Sequence, residues 1–183
     1  MVTWNDLSKR QRQAAESAFD ALETLDAVTA QPPEEGMFAS VGFSDVYAFA
    51  NGVGGAKDQD VRLALLRQPK LRQAFDAYLD KTAVCHFQRV AAASSGDVES
   101  READGFKIRL KRSKAVESQC YVMIDVDPTL GIEPRALFVK SIDGGIEKVV
   151  LPEDGGCTFQ ILSDWDSDLV RALRDVKTEV YLR

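Results

Sequence analysis

Cys85 and His86 stand side by side in this 183-residue chain, and His86 is its single histidine. A thiol becomes an effective nucleophile only as a thiolate, which a nearby imidazole can generate. The helical periodicity leading up to them predicts that both sit at the far end of a helix, where adjacent side chains diverge by about 100° and do not face one another. We therefore assign no catalytic residue to the pair, and His86 is expected to be structural or superficial.

Metal chemistry finds no framework either. Cys85, Cys120 and Cys157 are widely separated, lack any CxxC spacing, and are accompanied by one histidine, so no metal ligand set is expected. They read as buried thiols of a reducing compartment. Asp164, Asp166 and Asp168 alternate as at the opening of a calcium-binding loop, but the sixth position is Leu169 instead of glycine and the twelfth is Asp175 instead of glutamate. Helix capping accounts for them better. Gly52-Val53-Gly54-Gly55 follows no strand and precedes no Lys-Ser or Lys-Thr, so it does not describe a phosphate cradle. No cofactor is expected.

One charged feature stands out. Lys107, Arg109, Lys111, Arg112 and Lys114 place five cations in eight residues with no acid among them. Phe106, Ile108 and Leu110 alternate with the first three, which predicts a strand with one basic, solvated face. Such a face could contact phosphates, but no aromatic residue is interleaved to stack on bases. The whole chain carries 29 acidic against 23 basic groups, a net charge of −6 that repels a polyanion at long range. Nucleic acid is not the expected partner; a solvated face or protein-docking patch is.

The elements that must position these residues follow from periodicity. Trp4, Leu7, Gln11, Ala14, Ala18, Leu22 and Leu25 recur at three- and four-residue steps and predict a helix over residues 3–29, capped by Thr3 or Asn5 and stopped by Pro32-Pro33. Ser44-Asp45 predicts the cap of a short helix over 46–50, ended by Asn51-Gly52. Gly54-Gly55 permits a reversal, Asp58 or Asp60 offers a new N-cap, and an apolar run over 61–66 follows. Pro69 then opens a helix whose stripe of Leu71, Phe75, Tyr78, Leu79 and Thr82 is able to continue to Ala93.

Residues 94–105 are small, polar and charged, and read as a linker. Beyond them the apolar period changes from near four to two. Strands are expected over 106–111, 120–126, 136–142, 146–151, 157–162 and 178–183, with Asp143-Gly144-Gly145 as a hairpin turn and a short capped helix over 163–174. The fold class is thus α+β: a helical bundle domain over 1–93, a linker over 94–105, and an antiparallel β-sandwich or barrel over 106–183. No run is long and apolar enough for a membrane span, and the first residues have no leader-like apolar core, so a cytoplasmic protein is expected.

The stretch 46–79 resembles the helical domain of bacterial anti-sigma factors. The residues that carry the likeness are Tyr47-Ala48-Phe49-Ala50-Asn51-Gly52, then 61–66, then Pro69-Lys70-Leu71-Arg72. The His and paired Cys of the zinc-binding members are missing from it, so the similarity is to the zinc-less kind. It implies a non-enzymatic regulator that wraps a sigma factor, burying apolar side chains such as Tyr47, Phe49, Leu63, Leu66, Phe75 and Tyr78 against that partner. The β half would sense or dock. The competing expectation is that the same side chains form the core of a self-sufficient bundle. A different class of function, a scaffold or adaptor cut by a regulatory protease at the 94–105 linker, fits the same two-part organisation.

Overall fold

A computed structural model describes residues 4, 7–30, 41–88, 98–152 and 156–183. The fold is α+β, helices first and antiparallel strands after, as the change of apolar period predicts. The chain divides into two compact units, Met1–Thr82 and Ala83–Arg183. No helix among the described residues is long and apolar enough to cross a membrane.

Among its described residues the first unit holds four α-helices: α1 (Lys9–Thr29), α2 (Phe43–Ala50), α3 (Asp58–Arg67) and α4 (Pro69–Thr82). Helix α1 starts later than expected because Ser8 caps it: its Oγ accepts from the Gln11 amide at 3.3 Å while Gln11 Oε1 accepts from the Ser8 amide at 2.9 Å. Thr3 and Asn5, the expected caps, lie outside the described residues. Helix α2 begins at Phe43, and Asp45 is in its first turn, reaching back to the Gly42 amide at 3.0 Å rather than serving as the N-cap. Its end is a Schellman motif: Gly52 at φ 76° donates to the Phe49 carbonyl and Val53 to that of Ala48. Only glycine adopts that backbone without penalty, which is why Asn51-Gly52 stops the helix. Pro69 opens α4 as expected. Helix α1 packs along α4, and α2 and α3 pack on α4 and on each other.

Helix α4 ends at Thr82, so its predicted continuation to 93 does not occur. Cys85–Phe87 is strand β1, with Cys85 and Phe87 buried and His86 between them half-buried, a period of two. The linker reading of 94–105 also changes. Residues 94–97 lie outside the described residues, but Ser100–Ala103 is strand β2, joined to β3 (Phe106–Arg112) by a two-residue turn. Asp104 at φ 38° and Gly105 at φ 84° supply the two positive φ angles that a type I′ turn requires, so Asp-Gly marks a hairpin within a stretch whose polarity suggests a linker.

The second unit continues with β4 (Gln119–Val126), β5 (Ala136–Lys140), β6 (Ile146–Val150), β7 (Thr158–Asp164), α5 (Asp168–Arg174) and β8 (Glu179–Leu182). Among the described residues two antiparallel four-stranded sheets, ordered β1-β8-β5-β6 and β2-β3-β4-β7, share one core and form a sandwich. Leu137, Val139, Val180 and Leu182 enter it from one sheet; Ile108, Val122, Ile124 and Phe159 enter it from the other. Trp165, Val170 and Leu173 close it from the α5 region. Register is strongly imposed. Slipping β4 by one residue would exchange the buried Cys120, Val122, Ile124 and Val126 for Gln119, Tyr121, Met123 and Asp125, at roughly 2 kcal/mol per apolar side chain expelled. The predicted Asp143–Gly145 turn is present between β5 and β6, with Gly144 at φ 102° and Asp143 Oδ1 accepting from the Gly145 amide.

Candidate functional site

The six helical residues expected to meet a partner separate into two groups. Phe49, Phe75 and Tyr78 are buried, and the rings of Phe49 and Phe75 lie 5.9 Å apart. Leu63 is half-buried. Tyr47 and Leu66 remain 40% and 55% exposed. Tyr47 is held from two sides: Phe43, one turn earlier on α2, stacks on it at 5.6 Å, and Tyr78 of α4 lies tilted at 6.3 Å. Asn51 Nδ2 donates to the Tyr47 carbonyl at 2.7 Å and to the Tyr78 hydroxyl at 3.4 Å, tying the end of α2 to α4. At the other end of α2, Lys57 Nζ meets Asp45 Oδ2 at 2.8 Å. That hydrogen bond, with the one from the Gly42 amide, holds the Asp45 carboxyl below its ordinary value. The result is an exposed aromatic ring on a short helix fastened at both ends.

The basic strand is placed as predicted, with Lys107, Arg109 and Lys111 alternating with buried Phe106, Ile108 and Leu110. Its cations are not all available, however. Lys107 pairs with Glu102 of β2 at 2.9 Å, and Arg109 contacts Asp125 of β4 at 2.6 Å. Arg112 lies over the Trp165 ring at 3.9 Å, with Arg174 also against that ring at 4.4 Å. Lys111 stands opposite Tyr121, and Lys114 is exposed beyond the strand. The patch is thus a partly neutralised sheet face, with two of its five cations held by carboxylates among the described residues.

Cys85 and His86 do not act together, for a reason other than helix geometry. Successive strand residues point to opposite faces, so Cys85 enters the core while the His86 ring stacks on Tyr181 at 4.1 Å. Burial, with the charge of Asp104 adding to it, pushes the Cys85 thiol up to about 12. Burial raises Cys120 as well, against the opposing effect of Arg112 and Arg174. Both thiols are poor nucleophiles at neutral pH. Cys157, expected to be buried, is exposed because it lies in the turn ahead of β7. All three thiols are free.

Asp164 ends β7, Asp166 lies in a turn, and Asp168 starts α5, where it engages Arg171. The cap of α5 is Ser167, whose Oγ accepts from the Val170 amide at 3.3 Å. Among the described residues no group of His, Cys, Asp and Glu is arranged to hold a metal ion. An open depression of about 520 Å³ beside α5 is bordered by Asp143, Glu147, Asp168, Asp175 and Arg171. Asp143 accepts from the Gly145 amide, Asp175 from the Lys177 amide, and Asp168 meets Arg171, so these three carboxylates already serve the local fold.

Sequence reasoning missed Arg101. It points inward from β2, is 8% exposed, and donates to the carbonyls of Leu173, Asp175 and Thr178 and to Thr178 Oγ1. These acceptors cluster at the C-terminal end of α5, where helix carbonyls lack partners and the helix dipole favours a cation. The Asp104-Gly105 hairpin signal could have identified β2 and hence the inward side of Arg101. Comparison with known protein families, with characterised proteins and with solved structures finds no match to the chain.

Proposed function

We propose that the protein is a non-enzymatic regulatory module that binds a protein partner through its helical unit, with Tyr47 as the anchor. The observation that carries this reading is the exposure of the Tyr47 ring on a helix end fastened by Phe43, Tyr78, Asn51 and the Asp45–Lys57 pair. A rigid, half-exposed aromatic side chain desolvates at little cost in conformational entropy, which is the property of binding anchors. Leu66 adds a second exposed apolar contact on α3. Because Phe49, Phe75 and Tyr78 are buried, they support the surface from beneath instead of reaching a partner. The likeness of residues 46–79 to zinc-less anti-sigma factors makes a sigma factor the partner of choice, with the β-sandwich as a sensing or docking unit. The free thiols support action in the reducing cytoplasm.

The test is a binding titration against purified bacterial sigma factors. Wild-type protein is expected to bind one of them at micromolar concentration or tighter, and Tyr47→Ala to weaken binding by about 1–2 kcal/mol, roughly 5–30-fold. No binding by any sigma factor would remove that partner. Unchanged affinity in both Tyr47→Ala and Leu66→Ala would remove the surface.

A further inference from the structure

Among the described residues each sheet of the sandwich has two edges, and three of the four are guarded in the ways that natural proteins guard them. Strand β1 is three residues long, β2 carries Arg101 and Glu102, and β6 carries Glu147 and Lys148. The fourth is different. Strand β7, Thr158-Phe159-Gln160-Ile161-Leu162-Ser163-Asp164, spans seven residues without a proline, lysine or arginine, and its one charge is at its last position.

The direction of its backbone groups follows from the register with β4. Val126 donates to the Cys157 carbonyl at 2.7 Å and Trp165 donates to that of Ser118 at 2.7 Å. Hydrogen-bonded pairs in an antiparallel ladder recur every second residue, so 157, 159, 161, 163 and 165 direct their backbone toward β4. Thr158, Gln160 and Leu162 therefore turn their amides and carbonyls away from the sheet, where no described strand pairs with them. All three residues are exposed, Leu162 by 54%, while Ile161 is half-buried at the margin of the core.

We propose that β7 pairs antiparallel with β7 of a second copy of this chain, joining two β2-β3-β4-β7 sheets across a two-fold axis at Ile161. This register overlaps all seven residues. It sets Ile161 against Ile161, Gln160 against Leu162, Phe159 against Ser163, and Asp164 against Thr158. No carboxylate meets another, and the close, non-hydrogen-bonded position falls on the isoleucine pair, which completes the burial that one copy leaves partial. The strand is thus complementary to itself in charge, in apolar character and in backbone donors, and a two-fold contact of this kind closes at the dimer.

Sedimentation equilibrium of the full chain tests it. Wild type is expected as a dimer, with the Gln160 and Leu162 amides protected from hydrogen exchange in a concentration-dependent way. The double variants Gln160→Lys/Leu162→Lys and Gln160→Glu/Leu162→Glu alter only exposed side chains and bring like charges face to face. Each alone is expected as a folded monomer by circular dichroism and mass, and an equimolar mixture is expected to recover the dimer mass. A wild-type monomer, a lysine variant that remains dimeric, or a mixture that stays monomeric overturns the pairing. The wild-type mass and exchange measurements decide the matter even where a variant fails to fold.

Discussion

Single residues acquire their chemistry here from which side of a strand they occupy. Cys85 and His86 share a peptide bond yet face opposite sides of β1, and only the cysteine enters the core. Its thiol, raised to about 12, stays protonated throughout the physiological range, and burial protects Cys120 likewise. Cys157 is exposed. Titration of the native protein with a disulfide reagent at neutral pH is therefore expected to show one fast thiol per chain, abolished by Cys157→Ser, with the other two reacting only on unfolding. A second fast thiol would mean that the β1 edge opens readily. The expected burial holds for Cys85 and Cys120; that Cys157 is solvent-facing was not legible, because burial at a strand's end depends on what the neighbouring turn covers.

At the scale of elements, the joint between β2 and α5 is the point of greatest consequence. Arg101 satisfies carbonyls at the end of α5, and burial lowers its pKa against the opposing charge of Asp175, while a guanidinium still remains charged at any ordinary pH. Arg101→Leu takes this donor from the Leu173 and Thr178 carbonyls, while the Asp175 carbonyl keeps the Thr178 amide and hydroxyl, and is expected to lower stability by about 2–4 kcal/mol in urea unfolding. Arg101→Lys should recover only part of this, since an ammonium cannot span the same acceptors. A change within about 0.5 kcal/mol for the leucine variant would mean that water replaces the guanidinium. Most elements were legible: the capped helices around Asn51-Gly52 and Pro69, the Asp143–Gly145 hairpin and six of the strands carry clear periodicity and turn residues. The two strands overlooked, β1 and β2, are short and pair with partners distant in sequence or lie in a polar stretch, so local pattern is weak in both.

For the whole molecule, net charge of −6 and the neutralisation of Lys107 and Arg109 point the same way. Short oligonucleotides are expected to show no measurable association at about 0.15 M salt, and any binding at lower salt should have a log–log slope no steeper than about −3. A steep slope would restore the strand as a phosphate-contacting face. The two compact units divide the proposed roles in the same manner. The helical unit presents Tyr47 and Leu66, and the sandwich presents β7, an edge strand without proline, lysine or arginine.

By itself the sequence determined the class of fold, since apolar periods of near four and then two dictate which face of each segment must leave water. It also determined where most segments stop, because positive-φ glycines and prolines act locally. Tertiary structure alone decided which apolar residues of 46–79 are core and which are surface: Phe49, Phe75 and Tyr78 went inward while Tyr47 and Leu66 stayed out. The stripe of a helix is wider than the contact that its neighbours provide, so periodicity names the candidates and packing chooses among them.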